Sequence, residues 1–385
     1  HEISIISAIQ AIGFIDQEQY EVIPVYITKE SDFYVGEHIG DIHAYRDIPR
    51  LLKESTRVIW EKEGGNVCLM RRPLKHFGDN KVTDVDIAFP IVHGTNVEDG
   101  VLQGFLRTLG LPVVGCDVLS SAVGMNKYVQ KTVLRDNHIP VLDCRCYTWQ
   151  EYEEPSQLVK EIEATFSYPV IVKPLNLGSS IGISKASDRA ALEEALALAF
   201  EFTRRILVEP AITHLKEINC AVLGDYEQCE ASECEEPLNA EDILTFEDKY
   251  MSGGGSKGAK AGSKTAPAGA KTGGSKGMAS LQRRIPADIT PQQRNEIRDM
   301  AVRAFRSLGC SGVSRIDFML DMDNGQIYLN EINTIPGSLS FYLWEPVGKS
   351  YKQLLTEMIQ LAVKQDREDH RLVTSFETNV LAGFA

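Results

Sequence analysis

The stretch from Val313 to Asn333, "VSRIDFMLDMDNGQIYLNEIN", limits the folds open to this chain more than any other. Two alternating runs flank an Asp-Asn-Gly turn signal, so the segment reads as a β-hairpin. In the first run Ile316, Phe318 and Leu320 share one face, with Arg315 and Asp317 on the other. In the second, Glu331 and Asn333 are expected on the same face as Leu329. A three-residue loop, Asp323-Asn324-Gly325 with the glycine left-handed, pairs Met322 with Gln326. It also sets Asp317 opposite Glu331 and Arg315 opposite Asn333. A two-residue loop would send the two acids to opposite faces.

Opposed carboxylates repel unless something cationic separates them. Two carboxylates and an amide oxygen suit a hard ion such as Mg²⁺ held together with phosphates. A solvated polar face carrying an Arg–Asp pair is the plainer alternative; the repulsion favours the metal.

A second stretch, "VIVKPLNLGSSIGISK" from Val170 to Lys185, offers a partner for such an ion. Val170 to Val172 form a strand, Lys173 projects from its end, and Pro174 stops the ladder. The small residues that follow let backbone N–H groups approach an anionic oxygen, and serine hydroxyls add donors. Lysine supplies the compact charge that phosphate oxygens accept. The lysine precedes the glycines, so this is not a Walker loop. An ordinary hairpin with a surface lysine explains the stretch equally well.

Length sets the organisation: 385 residues imply two or three domains. The chain is 43% hydrophobic, and no apolar run is long enough to cross a bilayer. A net charge of −14 argues against a nucleic-acid partner, which needs a basic stripe. The eight cysteines show no zinc or redox spacing, and reduced thiols in a cytoplasmic protein are expected.

Residues 1–117 read as an α/β unit. It opens on a helix with Ile5, Ala8, Ile9 and Ile12 on its apolar face, without the strand that would feed that helix. "YEVIPVYI" and "DVDIAFPIVHG" read as strands, and "VEDGVLQGFLRTLG" as a helix ending at Gly110. One helix is expected through "SAVGMNKYVQKTVLRDN". The central unit, 118–207, contains the Lys173 strand and the helix "RAALEEALALAFEF". The last unit, 208–385, contains the hairpin and closes on the helix "YKQLLTEMIQLAVKQ". Within it, residues 252–277 consist only of Gly, Ser, Lys, Ala, Thr and Pro, a composition expected to be flexible.

Taken together, "HGTNVEDGVLQGFLRTLGLPVVG", "SAVGMNKYVQK", "VIVKPLNLGSSIGISK", "RIDFML" and "LNEINTIPG" resemble the D-alanine–D-alanine ligases of the ATP-grasp superfamily. The likeness runs from His1 to about Gln365, interrupted by the lysine-glycine segment. It implies a three-domain α/β (α+β) fold with a parallel-sheet N-terminal domain. It also implies ATP-dependent ligation of two D-alanines through an acyl phosphate, for peptidoglycan precursors, by a cytoplasmic homodimer. ATP and two Mg²⁺, or Mn²⁺ in their place, would be the cofactors.

By the same resemblance Lys127, Lys173, Ser180 and Lys249 would meet phosphates or nucleotide, Glu209 the adenine amine, and Glu217 the ribose. Asp317, Glu331 and Asn333 would hold the metals. Arg315 and the Gly337 N–H would stabilise the developing oxyanion, while Ser179 and Tyr250 would order the loop over the site. His93 and Glu98 would contact the first amino acid, and Ser338 and Leu339 the second. The family places a substrate-gripping glutamate just before "HEIS", ahead of the first residue of this sequence. Two other readings stay open: ligation to D-serine or another small second substrate, and an ATP-binding homologue without catalysis.

Overall fold

The computed structural model describes residues 1–178, 181–238 and 283–373. Ser179, Ser180, Lys249, Tyr250 and the segment 252–277 lie outside them. Three sheets organise the described residues.

The first unit begins with α1 (Glu2–Phe14) and an antiparallel meander of β1 (Tyr26–Ile27), β2 (Phe33–Val35), β3 (Thr56–Glu63), β4 (Asn66–Arg71) and β5 (Lys81–Val85), with α2 (Ile48–Glu54) between the second and third strands. The expected parallel sheet is reduced, among the described residues, to a bridge between Ala88 and Val113. "DIAFPIV" lies extended without a ladder, so the parallel-sheet expectation is corrected here. α3 (Val101–Thr108) ends in a turn whose Gly110 is left-handed, as its sequence implied.

The face of α1 is a second correction. Ser4, Ser7 and Ala11 are its buried residues, whereas Ile5, Ala8, Ile9 and Ile12 are half-buried. A polar stripe at helical spacing turns inward because it has partners there, described below.

The single helix expected at 121–137 is two: α4 (Val118–Met125) and α5 (Lys127–Asp136). Asn126 breaks them with an extended backbone, and its side chain accepts from Val129 N to cap α5. The cap fixes Lys127 as the first residue of a helix.

β6 (Arg145–Thr148), β7 (Val170–Pro174), β8 (Ser184–Ala186) and β9 (Arg205–Pro210) form a sheet in the order β6-β9-β7-β8. The short α6 (Trp149–Tyr152) is followed by α7 (Pro155–Thr165) and α8 (Arg189–Phe202), which cover that sheet through Leu158, Ile162, Leu192 and Leu196. β9 spans the boundary expected between 207 and 208 and pairs wholly inside this sheet. Leu134 of α5, by contrast, packs into the core of the third sheet.

That third sheet runs β12-β11-β10-β13-β14, with β10 (Leu215–Gly224), β11 (Cys229–Pro237), β12 (Arg283–Arg284), β13 (Gly312–Asp321) and β14 (Ile327–Asn333). One face, with Ile218, Cys220, Ile316 and Phe318, packs on α9 (Pro291–Ser307). Part of the other face, with Ala221, Leu223 and Val313, packs on α10 (Tyr351–Asp369) and on Ala11 of α1. The rest of that face is polar and forms the floor of a cleft.

Candidate active site

The hairpin of β13 and β14 carries the centre of the site. Its ladder sets Asp317 opposite Glu331 and Arg315 opposite Asn333, the register read from the sequence. The route to it differs. The tip is a four-residue loop, Met322 to Gly325, closed by Asp321 N donating to Gln326 O at 2.9 Å and Gly325 N donating to Asp321 O at 2.7 Å. A regular ladder from there would pair Asp317 with Asn330. A β-bulge inserts Asn330 as an unpaired residue and restores the acids to each other. The bulge also reverses the facing of the strand. Leu329 and Ile332 are both core residues, and Glu331 and Asn333 face away from them, not with Leu329 as expected.

Across the floor the pairing continues. Glu235 on β11 is opposite Asn219 on β10, which is opposite Asp317, which is opposite Glu331. Glu217 lies two residues along β10 on the same face. Arg315 donates to both oxygens of Asp317 at 2.7 Å, and Asn333 Nδ2 donates to Asp317 Oδ2 at 3.0 Å. Burial works against the Arg315 charge, but the Asp317 carboxylate outweighs it and holds the guanidinium pKa well above its ordinary value. Arg315 is therefore a permanent cation beside the acids.

The lysines enter from the opposite wall. Lys127 Nζ donates to Leu177 O at 2.6 Å and stands 3.6 Å from Glu331 Oε2. Burial, with Lys173 nearby, lowers its pKa against the pull of Glu331. Lys173 Nζ donates to the bulged Asn330 Oδ1 at 3.0 Å, so the surplus residue of one sheet meets the lysine of another. Glu98, Gly124, Lys127, Gly178, Glu331 and Asn333 line the cleft between these walls. Gly124 is required there: a Cβ on it would lie 2.9 Å from Thr334 Cγ2.

Glu209, expected at the adenine amine, sits between two lysines. Its side chain is 1% exposed and lies between Lys173 Nζ at 2.5 Å and Lys131 Nζ at 2.6 Å. Burial would raise its pKa, yet the two ammonium groups hold it down at about 2. Its carboxylate is a counter-ion for both lysines. Lys131, the sequence's missed member of this trio, looked like an ordinary helix-surface lysine.

His93 and Glu98 do sit together. Glu98 Oε2 accepts from Gly94 N at 2.6 Å, and Glu98 Oε1 is 3.9 Å from His93 Nδ1. The far side of the histidine meets α1, with Ser7 Oγ 3.3 Å from Nε2 and Ser4 Oγ accepting from His93 N at 2.9 Å. These serines were missed because their helix reads as amphipathic through its isoleucines.

Beyond β14 the chain passes Gly337 into an unusual turn. Ser338, Leu339 and Ser340 have φ of 50°, 52° and 50°, three non-glycine residues in succession in the left-handed region. Each costs about 1–2 kcal/mol. Leu339, 1% exposed, is a core residue, and its burial returns about 1.5–3 kcal/mol. Ser338 is equally buried: its N donates to Ser7 Oγ at 3.0 Å and its Oγ to Gln10 Oε1 at 2.6 Å. The two residues expected to contact the second amino acid are thus packed inward. Tyr342, behind them, donates to Glu235 Oε1 at 3.2 Å and lies under Arg283.

Two family models match the chain. The D-ala D-ala ligase N-terminus model matches residues 1–116, and the D-ala D-ala ligase C-terminus model matches 133–268 and 271–360. The chain is 37% identical over 381 residues to the D-alanine–D-alanine ligase of Thermosipho melanesiensis, covering 99% of this chain and 94% of the relative. It is 35% identical to that of Acetivibrio thermocellus, covering 95% and 93%. Among solved structures, the D-alanine–D-alanine ligase of Coxiella burnetii matches with a TM-score of 0.76 at 27% identity, over 96% of this chain and 92% of that one. The VanG D-Ala:D-Ser ligase of Enterococcus faecalis matches with a TM-score of 0.73 at 29% identity, over 94% and 95%. The chain belongs to the D-alanine–D-alanine ligase family and is an enzyme of the carboxylate–amine ligase kind, with the ATP-grasp fold.

Proposed function

We propose that this chain joins two D-alanines at the expense of ATP, through an acyl phosphate, in the supply of cell-wall precursor. The observation that carries the reading is Lys127 standing 3.6 Å from Glu331 at the cleft, with Asp317 paired opposite Glu331 and Lys173 reaching Asn330 of the same strand. The donor set fits a divalent cation: Asp317, Glu331 and Asn333 offer only oxygen to a hard ion, and their ladder positions adjoin. Metal ions bound there would supply the positive charge that lets a carboxylate approach the γ-phosphate.

The chain's own groups do the rest. Lys127 and Lys173 place two ammonium groups on the phosphate side. Arg315, kept charged by Asp317, faces the carbonyl oxygen as it becomes anionic, joined by the Gly337 N–H. His93 and Glu98 hold the first amino acid. Glu217 shares the cleft face with Asp317, which supports its assignment to the ribose. Ser180 and Lys249 toward the nucleotide, and Ser179 with Tyr250 over the reacting centre, are assigned on the family resemblance. That resemblance also supports a homodimer, two Mg²⁺ or Mn²⁺, and a cytoplasmic place of work. Among the described residues no helix is long and apolar enough to cross a membrane.

The likeness to a D-Ala:D-Ser ligase makes D-serine the competing second substrate. Coupled ADP release and dipeptide formation, measured with D-alanine alone and with D-serine or D-lactate added, tests the reading. We expect D-alanyl-D-alanine at one mole per mole of ADP. Asp317→Asn keeps the shape of the side chain while removing its charge. It should lower turnover by more than about 100-fold, since even the residues behind metal ligands contribute 10–100-fold. ADP release unchanged in that variant would remove Asp317 from the metal set, whereas a wild type that binds ATP without releasing ADP would favour a nucleotide-binding protein without the ligase reaction.

A further inference from the structure

The left-handed turn after Gly337 is held from outside its own unit. Ser338, Leu339 and Ser340 adopt a conformation that L-residues avoid in succession, and Ser340 Oγ is buried without a hydrogen-bond partner. Local sequence does not stabilise such a turn, so its contacts must. Two of them come from α1, more than three hundred residues earlier in the chain: Ser7 Oγ accepts from Ser338 N, and Gln10 Oε1 accepts from Ser338 Oγ. Ser7 Oγ is at the same time 3.3 Å from His93 Nε2. A single hydroxyl therefore touches the histidine of the first amino-acid subsite and the backbone that follows Gly337.

We propose that Ser7 and Gln10 are positioning residues for the second amino acid. By fixing the left-handed turn they fix the Gly337 N–H and the wall on which the incoming amine rests, in register with the first substrate at His93. The inference rests on the ligase reading and extends it. Chemistry makes the alignment matter. The amine must attack the acyl phosphate carbonyl before water does, forming the C–N bond as the C–O bond to phosphate breaks and a proton leaves the nitrogen. If the amine is displaced, water attacks instead, and the products are phosphate and the free first amino acid. A loosened turn should therefore uncouple ADP release from dipeptide formation, an effect that general loss of stability does not produce.

The test compares wild type with Gln10→Ala, Ser7→Ala, Ser7→Thr and Gln10→Ala/Ser340→Gly. Gln10 is a half-buried helix position where alanine is well tolerated, so the fold should survive its replacement. For Gln10→Ala and Ser7→Ala we expect the second-site KM for D-alanine to rise at least about tenfold. ADP formed per dipeptide should exceed one in both, the KM for ATP should stay within about twofold in both, and the first-site KM should stay within about twofold in Gln10→Ala, which leaves the Ser7–His93 contact in place. Ser7→Thr, which keeps the hydroxyl, should stay coupled. Ser340→Gly removes strain at a left-handed position and should restore coupling to Gln10→Ala. Coupled turnover in both alanine variants, or a rise of all three constants together, would overturn the proposal while leaving the ligase reading intact. A wild-type chain that releases no ADP with D-alanine would overturn the reading and the proposal with it.

Discussion

Glu209 shows how much one buried residue can do for the charges around it. Its carboxylate neutralises Lys131 and Lys173 where water is excluded, and it leaves Lys173 with an amide contact to Asn330 toward the cleft. Replacing it by glutamine leaves two buried ammonium groups without a counter-charge. Glu209→Gln should lose about 3–5 kcal/mol of stability, read by denaturant unfolding. The wild type adds a pH test. The folded pKa, about 2, lies below the ordinary 4.5, so this contribution is complete above the usual carboxylate range and is lost as pH falls from 4.5 toward 2. Unfolding curves for wild type and Glu209→Gln should converge at the acid end and separate above it. Equal stability at neutral pH would show that the lysines find another partner.

Among elements, α4 and the β13–β14 hairpin depend on each other through Gly124. Gly124→Ala drives a methyl against Thr334 Cγ2 and brings it within 3.4 Å of Ile332 Cγ2. We expect about 1–3 kcal/mol of destabilisation from overpacking. The KM for ATP should rise as well, because Lys127 follows α4 by two residues; thermal melting and steady-state kinetics report the two effects. An unchanged KM for ATP would mean that α5 holds Lys127 independently of α4.

The hairpin also measures how much the sequence discloses. Alternation and an Asp-Asn-Gly signal are enough to pair Asp317 with Glu331. They do not tell a three-residue loop from a four-residue loop followed by a bulge, since both bring the acids together. The spacing Leu329–Ile332 carried the hint: two core residues three apart in a strand require an extra residue between them. Asn126 was legible in the same limited way, as a good capping residue inside a helical pattern. Ser4, Ser7 and Gln10 were not legible. Their partners, His93 and Ser338, are distant in the chain, and a helix with five isoleucines draws attention to its other face. Lys131 and Glu209 were hidden for a similar reason, since nothing in either local pattern shows that two charged side chains share a dry pocket.

At the scale of the molecule, the cleft lies where the central sheet and the C-terminal sheet approach, and Lys173 to Asn330 is a contact that spans them. A nucleotide bound between the lysines and the acids should tie the two sheets together. With a non-hydrolysable ATP analogue and Mg²⁺ at one hundred times Kd, stabilisation of about 2.7 kcal/mol is expected from mass action. Lys173→Ala, tested at the same concentration, should show far less of it in a thermal shift. Equal stabilisation of both proteins would remove Lys173 from the nucleotide's contacts.

The bulge gives Asn330 a peculiar status. Excise it on paper and the rungs Phe318–Leu329 and Asp317–Glu331 become neighbours in an unbroken hairpin, with every apolar side chain still inward and both acids still face to face. The sheet has no architectural use for this asparagine. It survives as a spare link whose amide oxygen holds the ammonium group of the opposite wall.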